Sequence, residues 1–268
     1  MEIDPLTERL GYAHRSVTRH RAGVALPATD HVIEEVPVAL VFNGISHAVM
    51  MATPRDLEEF AVGFALTEAI VGRASDVFDR EVFVHDASAE VHLEIAQDAF
   101  LELKGKRRAL AGRTGCGVCG IESIALLDLE PEPLGAASSR VFVTDEMVAR
   151  AANQLPDYQH LQRMTGGVHA AAWCDRAGTI TRVFEDVGRH NGLDKLIGHL
   201  ALTNTDPTDG FIFLSSRASY ELARKAARFN VGTLATISAP TSLAIEVARK
   251  AGLRLLSFCR ADGFVEYT

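Results

Sequence analysis

The sequence has few cysteines and few aromatic residues, and it contains no long apolar run. Its 268 residues include 4 cysteines, 1 tryptophan and 7% aromatic residues. This cysteine content indicates a reducing compartment and argues against a disulfide framework. No stretch approaches the roughly 18 apolar residues that cross a bilayer, and the first thirty residues lack the apolar part of a secretion signal. We therefore expect a cytoplasmic protein with no membrane partner.

The chain also has fewer positively charged than negatively charged residues. The chain has 27 Lys and Arg residues against 35 Asp and Glu residues, for a formal net charge of -8. Because broad nucleic-acid binding needs a clustered basic surface, we expect no nucleic-acid partner. Hydrophobic residues make up 47% of the chain. At this length they supply the core of one large domain or of two smaller ones.

Two of the cysteines lie in one glycine-rich segment, RTGCGVCG at residues 113–120, as Cys116 and Cys119. The glycines favour a loop, because they adopt conformations closed to other residues. A CxxC pair is typical of thiol exchange, since one sulfur attacks a substrate and its neighbour resolves the product. It is also half of a zinc site, which needs about two further ligands. Cys174 and Cys259 stand alone in strand-like segments and are expected to be buried apolar residues.

A zinc-dependent nucleobase deaminase is one enzyme class that this pattern suggests. His92 and Glu94, followed by Cys116 and Cys119, resemble the HxE and PCxxC signature of such enzymes. However, Gly115 stands where the signature has proline. His92 and Glu94 also belong to an alternating strand pattern and not to a helix start. We predict no tightly held metal and keep the deaminase as an alternative.

Two strand pairs are predicted in the first half of the chain. Residues 36–42 and 45–51 flank Asn43-Gly44, a strong signal for a two-residue hairpin turn. Residues 81–85 and 90–96 form the second pair, and the latter segment alternates apolar and polar residues.

A helix is predicted between these two strand pairs. Thr53 is a good N-cap, Pro54 suits the first helical position, and Gly72 marks the end. Residues 1–30 show no periodicity and are expected to form a loosely attached arm.

Residues 130–139 combine proline, glycine and serine and predict a linker between domains at 1–135 and 140–268. The second domain alternates strands and helices, which predicts an α/β fold with a largely parallel, helix-covered sheet. The predicted helices cover 144–155, 158–164, 189–202, 220–229 and 243–250, and the predicted strands cover 168–173, 179–185, 211–214, 233–237 and 254–258.

Polar residues follow three of these predicted strands. They are Ser215-Ser216-Arg217, residues 238–242 with Ser238 and Thr241, and residues 259–263. In open α/β sheets, ligands bind beyond the carboxyl ends of strands, where helix N-termini attract phosphate. Ordinary helix capping by serine and threonine explains any one of these segments equally well.

Two histidines also lie in segments that join predicted elements. His190 and Asp194 are four residues apart on a predicted helix, so the carboxylate could orient the imidazole. His169 follows the glycine turn of residues 165–167 at a strand start. Either feature is compatible with a purely structural role.

Five segments in order resemble one family, the formate dehydrogenase accessory sulfurtransferases, or FdhD family. These segments are residues 51–60, the CxxC loop, 165–172, 185–198 and 238–244, within a resemblance that spans about residues 36–267. The resemblance implies a three-layer core similar to the cytidine deaminase fold, without its zinc chemistry. A mostly parallel sheet and a smaller, β-rich N-terminal domain belong to that expectation.

The resemblance also implies an activity, which is the transfer of persulfide sulfur from a cysteine desulfurase to the cofactor of formate dehydrogenase. The client cofactor would be Mo-bis(molybdopterin guanine dinucleotide), or its tungsten counterpart. The persulfide cysteine of the family falls on Cys116 and its loop partner on Cys119. Together with the strand-end residues, the implied cofactor-binding set is Phe258, Cys259, Arg260, Ala261, Asp262, Gly263, Ser238 and Thr241. A homodimer is expected, and a non-catalytic chaperone that only holds the cofactor is a further alternative.

Overall fold

A computed structural model of the chain describes the backbone of residues 10–108, 131–135 and 140–268, and the side chains of these residues except 105–108. The strands are β1 (Tyr12–Arg21), β2 (Val24–Ile33), β3 (Val36–Phe42), β4 (Ile45–Ala52), β5 (Val77–Val84), β6 (Ala89–Ile95), β7 (His169–Asp175), β8 (Ile180–Asp186), β9 (Gly210–Leu214), β10 (Thr233–Thr236), β11 (Arg254–Arg260) and β12 (Gly263–Glu266). The α-helices are α1 (Leu57–Thr67), α2 (Gln97–Arg108), α3 (Asp145–Tyr158), α4 (His160–Thr165), α5 (Arg189–Leu202), α6 (Tyr220–Arg228) and α7 (Ser242–Ala251). In the described parts of the chain, no helix is long and apolar enough to cross a membrane.

The N-terminal segment is a β-hairpin and not a loose arm, which corrects the prediction for residues 12–30. Strands β1 and β2 pair antiparallel from Tyr12 with Ile33 to Arg21 with Val24. Both turn residues between them, Ala22 and Gly23, have positive φ angles of 48° and 82°, as a tight hairpin turn requires.

Strands β3 to β6 form a sheet in the order β4-β3-β6-β5, which confirms the two predicted strand pairs. Asn43 and Gly44 form the β3–β4 turn with φ angles of 45° and 76°. The Asn43 side chain also exchanges two hydrogen bonds with the backbone of Ile95 on β6. The Asn43-Gly44 signal predicts only the turn between β3 and β4, but the Asn43 side chain also holds β6 in place.

Helix α1 begins at Leu57, later than predicted, because the backbone of Thr53 is already engaged. The Thr53 N–H donates to Asp186 Oδ2 at 3.0 Å, and the Thr53 carbonyl accepts from Lys195 Nζ at 3.1 Å. These bonds hold Thr53 at the end of β4 instead of at a helix start. The helix ends at Thr67, before Gly72.

The main sheet has the order β12-β11-β10-β9-β7-β8 and confirms the α/β class. Its centre, β9-β10-β11, is parallel, with α6 and α7 as crossovers, whereas β12, β7 and β8 pair antiparallel. The expectation of a mostly parallel sheet is therefore corrected at both flanks. The physical reason is that short turns join β7 to β8 and β11 to β12, and short turns connect only antiparallel strands.

The main sheet separates two apolar layers, as the three-layer expectation requires. On one face, alternate residues of β7 and β9 such as Ala172 and Phe213 pack with α3. The other face, with residues such as Trp173 and Ile212, joins a larger core with α5, α6 and α7.

Helix α1 of the N-terminal half belongs to that larger core, because it crosses α5 closely. A Cβ atom on Gly63 would overlap the backbone of Asp194, and one on Gly198 would overlap the backbone of Glu59. Of the predicted linker at residues 130–139 the structure describes residues 131–135, and the division into two domains stays a prediction.

Candidate functional site

The polar segments after the central strands meet at one edge of the main sheet. The parallel strands β9, β10 and β11 end there, β8 ends there and β7 begins there. We call this region the strand-end edge and define it by residues 186–190, 215–219, 237–242 and 258–263 together with His169. Helices α5, α6 and α7 begin at this edge, so three positive helix ends point toward the same region.

Backbone hydrogen bonds join the loops after β9 and β10. Ala218 N donates to the carbonyl of Ala239 at 3.2 Å, and Thr241 N donates to the carbonyl of Ala218 at 3.0 Å. Thr241 Oγ1 accepts the Ala244 N–H at 3.2 Å, so Thr241 caps α7. Ser238 is half-buried, and its carbonyl accepts from Thr236 Oγ1 at 3.0 Å. The helix-capping interpretation is therefore correct for Thr241, which is an exposed residue at this edge.

Residues 258–263 form a bulged β-hairpin at the edge of the sheet instead of the loop that was predicted after a strand ending at residue 258. The pairing of β11 with β12 shifts between Ser257 and Arg260. Within the bulge, Phe258 has a φ of 56° and its side chain is 44% exposed. A non-glycine residue in this region is strained by roughly 1–2 kcal/mol, and such strain is concentrated at functional sites.

Arg260 ties this hairpin to the neighbouring strand. Its Nη1 donates to the carbonyl of Ile237 at 2.7 Å and to the carbonyl of Cys259 at 2.8 Å. Ala261 and Asp262 are exposed at the hairpin tip. The predicted cofactor segment thus presents one exposed ring, one partly engaged guanidinium and one exposed carboxylate.

Cys259 and Cys174 are buried, as predicted. Burial raises the pKa of the Cys259 thiol to about 11, against smaller opposing effects of the backbone and Arg260. Burial and the nearby Asp175 likewise raise the pKa of Cys174. Because the thiolate is the reactive form of cysteine, neither residue is suited to accept sulfur.

The sequence also singles out two further pairs of residues, Cys116 with Cys119 and His92 with Glu94. Cys116 and Cys119 lie outside the described residues, so their role stays a prediction. His92 and Glu94 lie on β6, as their alternation indicates, and His92 Nε2 is 2.8 Å from Glu90 Oε2.

The hypothesis that Asp194 orients His190 is wrong. His190 Nε2 lies 2.7 Å from Glu221 Oε2 in the first turn of α6. Asp194 is buried against α1, where it accepts from Lys225 Nζ at 2.9 Å and from Thr67 Oγ1 at 2.8 Å. Residues four apart lie on the same side of a helix. However, His190 in the first turn of α5 contacts Glu221 of α6, whereas Asp194, one turn later, contacts Thr67 of α1 and Lys225 of α6.

Sequence reasoning missed a buried ion pair beneath the strand-end edge. Asp186 Oδ2 accepts from Lys195 Nζ at 2.6 Å. Asp186 Oδ1 accepts from Gly188 N at 2.8 Å and from Asn191 Nδ2 at 2.9 Å. Asp186 and Lys195 lie in a segment with several other charged residues, at 185–198, so their pairing could not be assigned from one sequence.

Positive charge gathers where β7, β9 and α5 meet. Burial, followed by the charges of Arg189, His190 and Arg217, lowers the pKa of His169. Burial would raise the pKa of Glu221, but its hydrogen bond with His190 and the charge of that residue outweigh burial and lower it. The pairing with Glu221 holds His190 at the start of α5, in a region that attracts anions.

Known proteins are similar to this chain over nearly its whole length. The model of the FdhD/NarQ family matches residues 33–268. The chain is 63% identical over 258 residues to sulfur carrier protein FdhD of Chromobacterium violaceum, with 96% of each chain covered. It is 60% identical over 271 residues to sulfur carrier protein FdhD of Burkholderia mallei, with 100% of this chain and 99% of that one covered.

One solved structure is similar in fold. It is described as that of a candidate formate dehydrogenase accessory protein from Desulfotalea psychrophila, with a TM-score of 0.72 and 19% identity over 96% of each chain. At this identity the likeness shows the fold alone. The matched family model and the full-length relatives show that the chain belongs to the FdhD/NarQ family.

Proposed function

We propose that this chain is a sulfur carrier that takes persulfide sulfur from a cysteine desulfurase and delivers it to the cofactor of formate dehydrogenase. The observation that carries the proposal is the identity of 60% or more, over almost the full length, to proteins named sulfur carrier protein FdhD. The chemistry adds support, because the CxxC pair in a glycine-rich segment suits a sulfur relay.

Cys116 is the proposed carrier. Its thiolate attacks the outer sulfur of the donor persulfide, the donor S–S bond breaks, and the donor cysteine leaves as a thiolate. Cys116 then holds the persulfide. Attack by the Cys119 thiolate on the inner sulfur releases hydrosulfide and leaves a Cys116–Cys119 disulfide, so the two cysteines supply both electrons. A cellular thiol reduces this disulfide for the next cycle.

The strand-end edge is the proposed holding site for the client, Mo-bis(molybdopterin guanine dinucleotide). The exposed ring of Phe258 offers a stacking surface for guanine, since aromatic side chains stack on nucleobases. Asp262 can accept hydrogen bonds from the guanine edge. Arg260, Ser238, Thr241 and the helix N-termini suit its phosphate groups. Cys259 and the small residues Ala261 and Gly263 complete the hairpin that carries these groups.

The test is restoration of formate dehydrogenase activity in cells that lack their own carrier. Wild-type protein should restore activity, and Cys116→Ala should not. Cys174→Ala is the matched control, because it removes a buried thiol outside the strand-end edge. If a variant without Cys116 and Cys119 sustains full activity, the protein is a holding chaperone. If the purified protein instead holds stoichiometric zinc that is lost in Cys119→Ser, and deaminates nucleobases, the deaminase alternative is correct.

A further inference from the structure

We infer that the β1–β2 hairpin of one copy of this chain packs on the outer face of the β4-β3-β6-β5 sheet of a second copy, and that the second copy returns the same contact. The sequence predicts a homodimer without indicating its interface. Two exposed faces of the described chain are complementary in apolar surface and in charge, and they identify the second copy as the occupant. This interface does not depend on the proposed sulfur transfer.

The hairpin is a two-stranded sheet of its own, and one of its faces carries exposed apolar side chains. The strand pairing places alternate residues of β1 and β2 together on this hairpin face, from Ala13 opposite Val32 to Arg21 opposite Val24. The exposed large apolar side chains on it all belong to β2 and are 43–56% exposed: Val24, Leu26 and Val32. A two-stranded hairpin is marginally stable by itself. A partner that covers these side chains would therefore stabilise it.

The same hairpin face is basic along β1. It carries Arg15, Arg19 and Arg21, against one carboxylate, Asp30 on β2. Arg19 Nη2 is 4.0 Å from Asp30 Oδ1, and both side chains are more than half exposed, so this ion pair contributes little. The hairpin face thus has a largely apolar row of side chains on β2 beside a basic row on β1.

The outer face of the β4-β3-β6-β5 sheet has the matching arrangement. The opposite face of this sheet packs in the core with α1. The outward residues of β4 and β3 are mostly apolar and include Met51, Val49, Pro37, Ala39 and Val41. The outward residues of β6 and β5 include four carboxylates, which are Glu90, Glu94, Asp79 and Glu81. An apolar half therefore meets an acidic half at the boundary between β3 and β6.

The apolar residues of the outer sheet face are exposed like those of the hairpin. Val49 and Met51 on β4 and Phe83 on β5 are 42–52% exposed. Apolar side chains that are exposed together on one face mark interaction sites. Both faces therefore have apolar surface to bury against a partner.

The two faces match strand by strand in one arrangement. With β2 over β3 and β1 over β6, apolar side chains meet apolar ones and the three arginines meet the carboxylates. Sheets that pack face to face keep their strands nearly aligned. Because neighbouring strands are about 4.8 Å apart in both sheets, the match continues along the contact.

Contacts between like faces are unfavourable. Two hairpin faces would bring together the three arginines of each copy, and two outer sheet faces would bring together the four carboxylates of each copy. Like charges placed opposite each other disfavour an interface. Within one chain both faces stay exposed, so the hairpin of a second copy is the occupant. Exchange of both hairpins gives a closed twofold dimer.

The exchange covers enough surface for a specific dimer. The overlap is limited by the 7-residue strands β3 and β6, which are about 24 Å long, and by the width of two strands, about 10 Å. Each contact thus covers about 240 Å² on each partner. The two contacts together bury about 1,000 Å², the lower limit for a specific interface.

The experiment is analytical ultracentrifugation of the full chain and of two charge-reversed variants over the same concentrations. The hairpin variant is Arg19→Glu with Arg21→Glu, and the sheet variant is Glu81→Arg with Glu94→Arg. All four side chains are exposed, so both variants should fold, which circular dichroism checks. Wild type should dimerise. Each variant alone should dimerise about 10-fold more weakly or less, because like charges face each other in both of its contacts.

An equal mixture of the two variants should recover the dimer affinity of wild type. In the mixed dimer, one contact pairs the reversed hairpin with the reversed sheet, and the other pairs two unchanged faces. Native mass spectrometry identifies this mixed species, since the two variants differ in mass. The control is Arg249→Glu with Lys250→Glu, two exposed residues in the last turn of α7, which should dimerise like wild type.

A wild type that stays monomeric at every concentration would overturn the interface. A dimer that the charge reversals leave intact, or that the mixture does not restore, would also overturn it, and so would an equal loss in the α7 control. If wild type is monomeric and the hairpin variant loses binding to a cysteine desulfurase, the hairpin serves that partner instead. Failed sulfur loading of Cys116 together with a restored mixed dimer would refute the sulfur role and leave the interface standing.

Discussion

Lys195 Nζ lies 2.6 Å from Asp186 Oδ2, and both side chains have 0% exposure. Asp186 also accepts the backbone N–H groups of Thr53 and Gly188. One carboxylate thus joins the end of β4, the end of β8 and the first turn of α5. The arrangement fixes the start of α5, where Arg189 and His190 contribute to the strand-end edge.

Replacing Lys195 with methionine should destabilise the protein strongly, because Asp186 would be left as a buried charge without its cation. Breaking such a pair costs about 3–5 kcal/mol. The free energy of unfolding from denaturant titration measures the effect, with the exposed Arg249→Met as control. A loss no larger than that of the control would show that the ion pair contributes little.

The carboxyl group of Glu68 leads to a prediction about the stability of the protein at acidic pH. Burial alone would raise the pKa of Glu68, but the charges of Lys225 and Arg224 and their hydrogen bonds outweigh it and lower the pKa to about 2 from an ordinary 4.5. A lowered pKa means that the contribution to stability is present above 4.5 and is lost as the pH falls toward 2.

The unfolding free energies of wild type and Glu68→Gln should therefore differ most at neutral pH and converge in acid. Denaturant titrations at several pH values measure this difference, with Glu246→Gln, at an exposed position of α7, as the control. A difference that is constant over the whole range would contradict the assignment.

Replacing Phe258 with glycine should have opposite effects on the stability of the protein and on its binding of guanosine. Phe258→Gly relieves a positive φ and should stabilise the hairpin by roughly 1 kcal/mol, offset in part by the freedom of glycine in the unfolded chain. The same change removes the stacking surface and should weaken guanosine binding about 10-fold or more. Thermal unfolding and calorimetry measure the two effects. Phe78→Gly is the control, since Phe78 is a 71% exposed phenylalanine on β5. Unchanged guanosine affinity in Phe258→Gly would rule out stacking on this ring.

The two described cysteines should be unreactive in the native protein. Cys174 and Cys259 are buried, and the pKa of each thiol is raised. We expect a charged alkylating reagent to modify both far more slowly in native than in denatured protein, as followed by peptide mass spectrometry. Rapid native labelling of either residue would show that its thiol is accessible and acidic.

Local signals predicted the elements that local residues decide. The Asn43-Gly44 turn and the bounds of α5 (Arg189–Leu202) follow from turn chemistry and helix periodicity. The start of α1 did not follow, because Asp186 and Lys195 engage Thr53 from far along the chain. A cap propensity of about 1 kcal/mol is weak against bonds to a buried charge.

The N-terminal hairpin and the site also have features that local sequence signals do not predict. Most side chains of β1 and β2 are exposed or half-buried on both faces, so no alternation of apolar residues reports the strands. At the site, the grouping of three strand ends was predictable from parallel topology. The pairing of His190 with Glu221 depends on how α5 and α6 sit side by side, which spacing along the chain does not encode.

The central claim is that Cys116 carries the sulfur. Its most direct test is mass spectrometry of the peptides of this protein after incubation with a cysteine desulfurase and cysteine. The account predicts one added sulfur atom on the Cys116 peptide in wild type and in Cys174→Ala, and none in Cys116→Ala. Normal sulfur loading of Cys116→Ala, or added sulfur on the Cys174 or Cys259 peptide in its place, would contradict it.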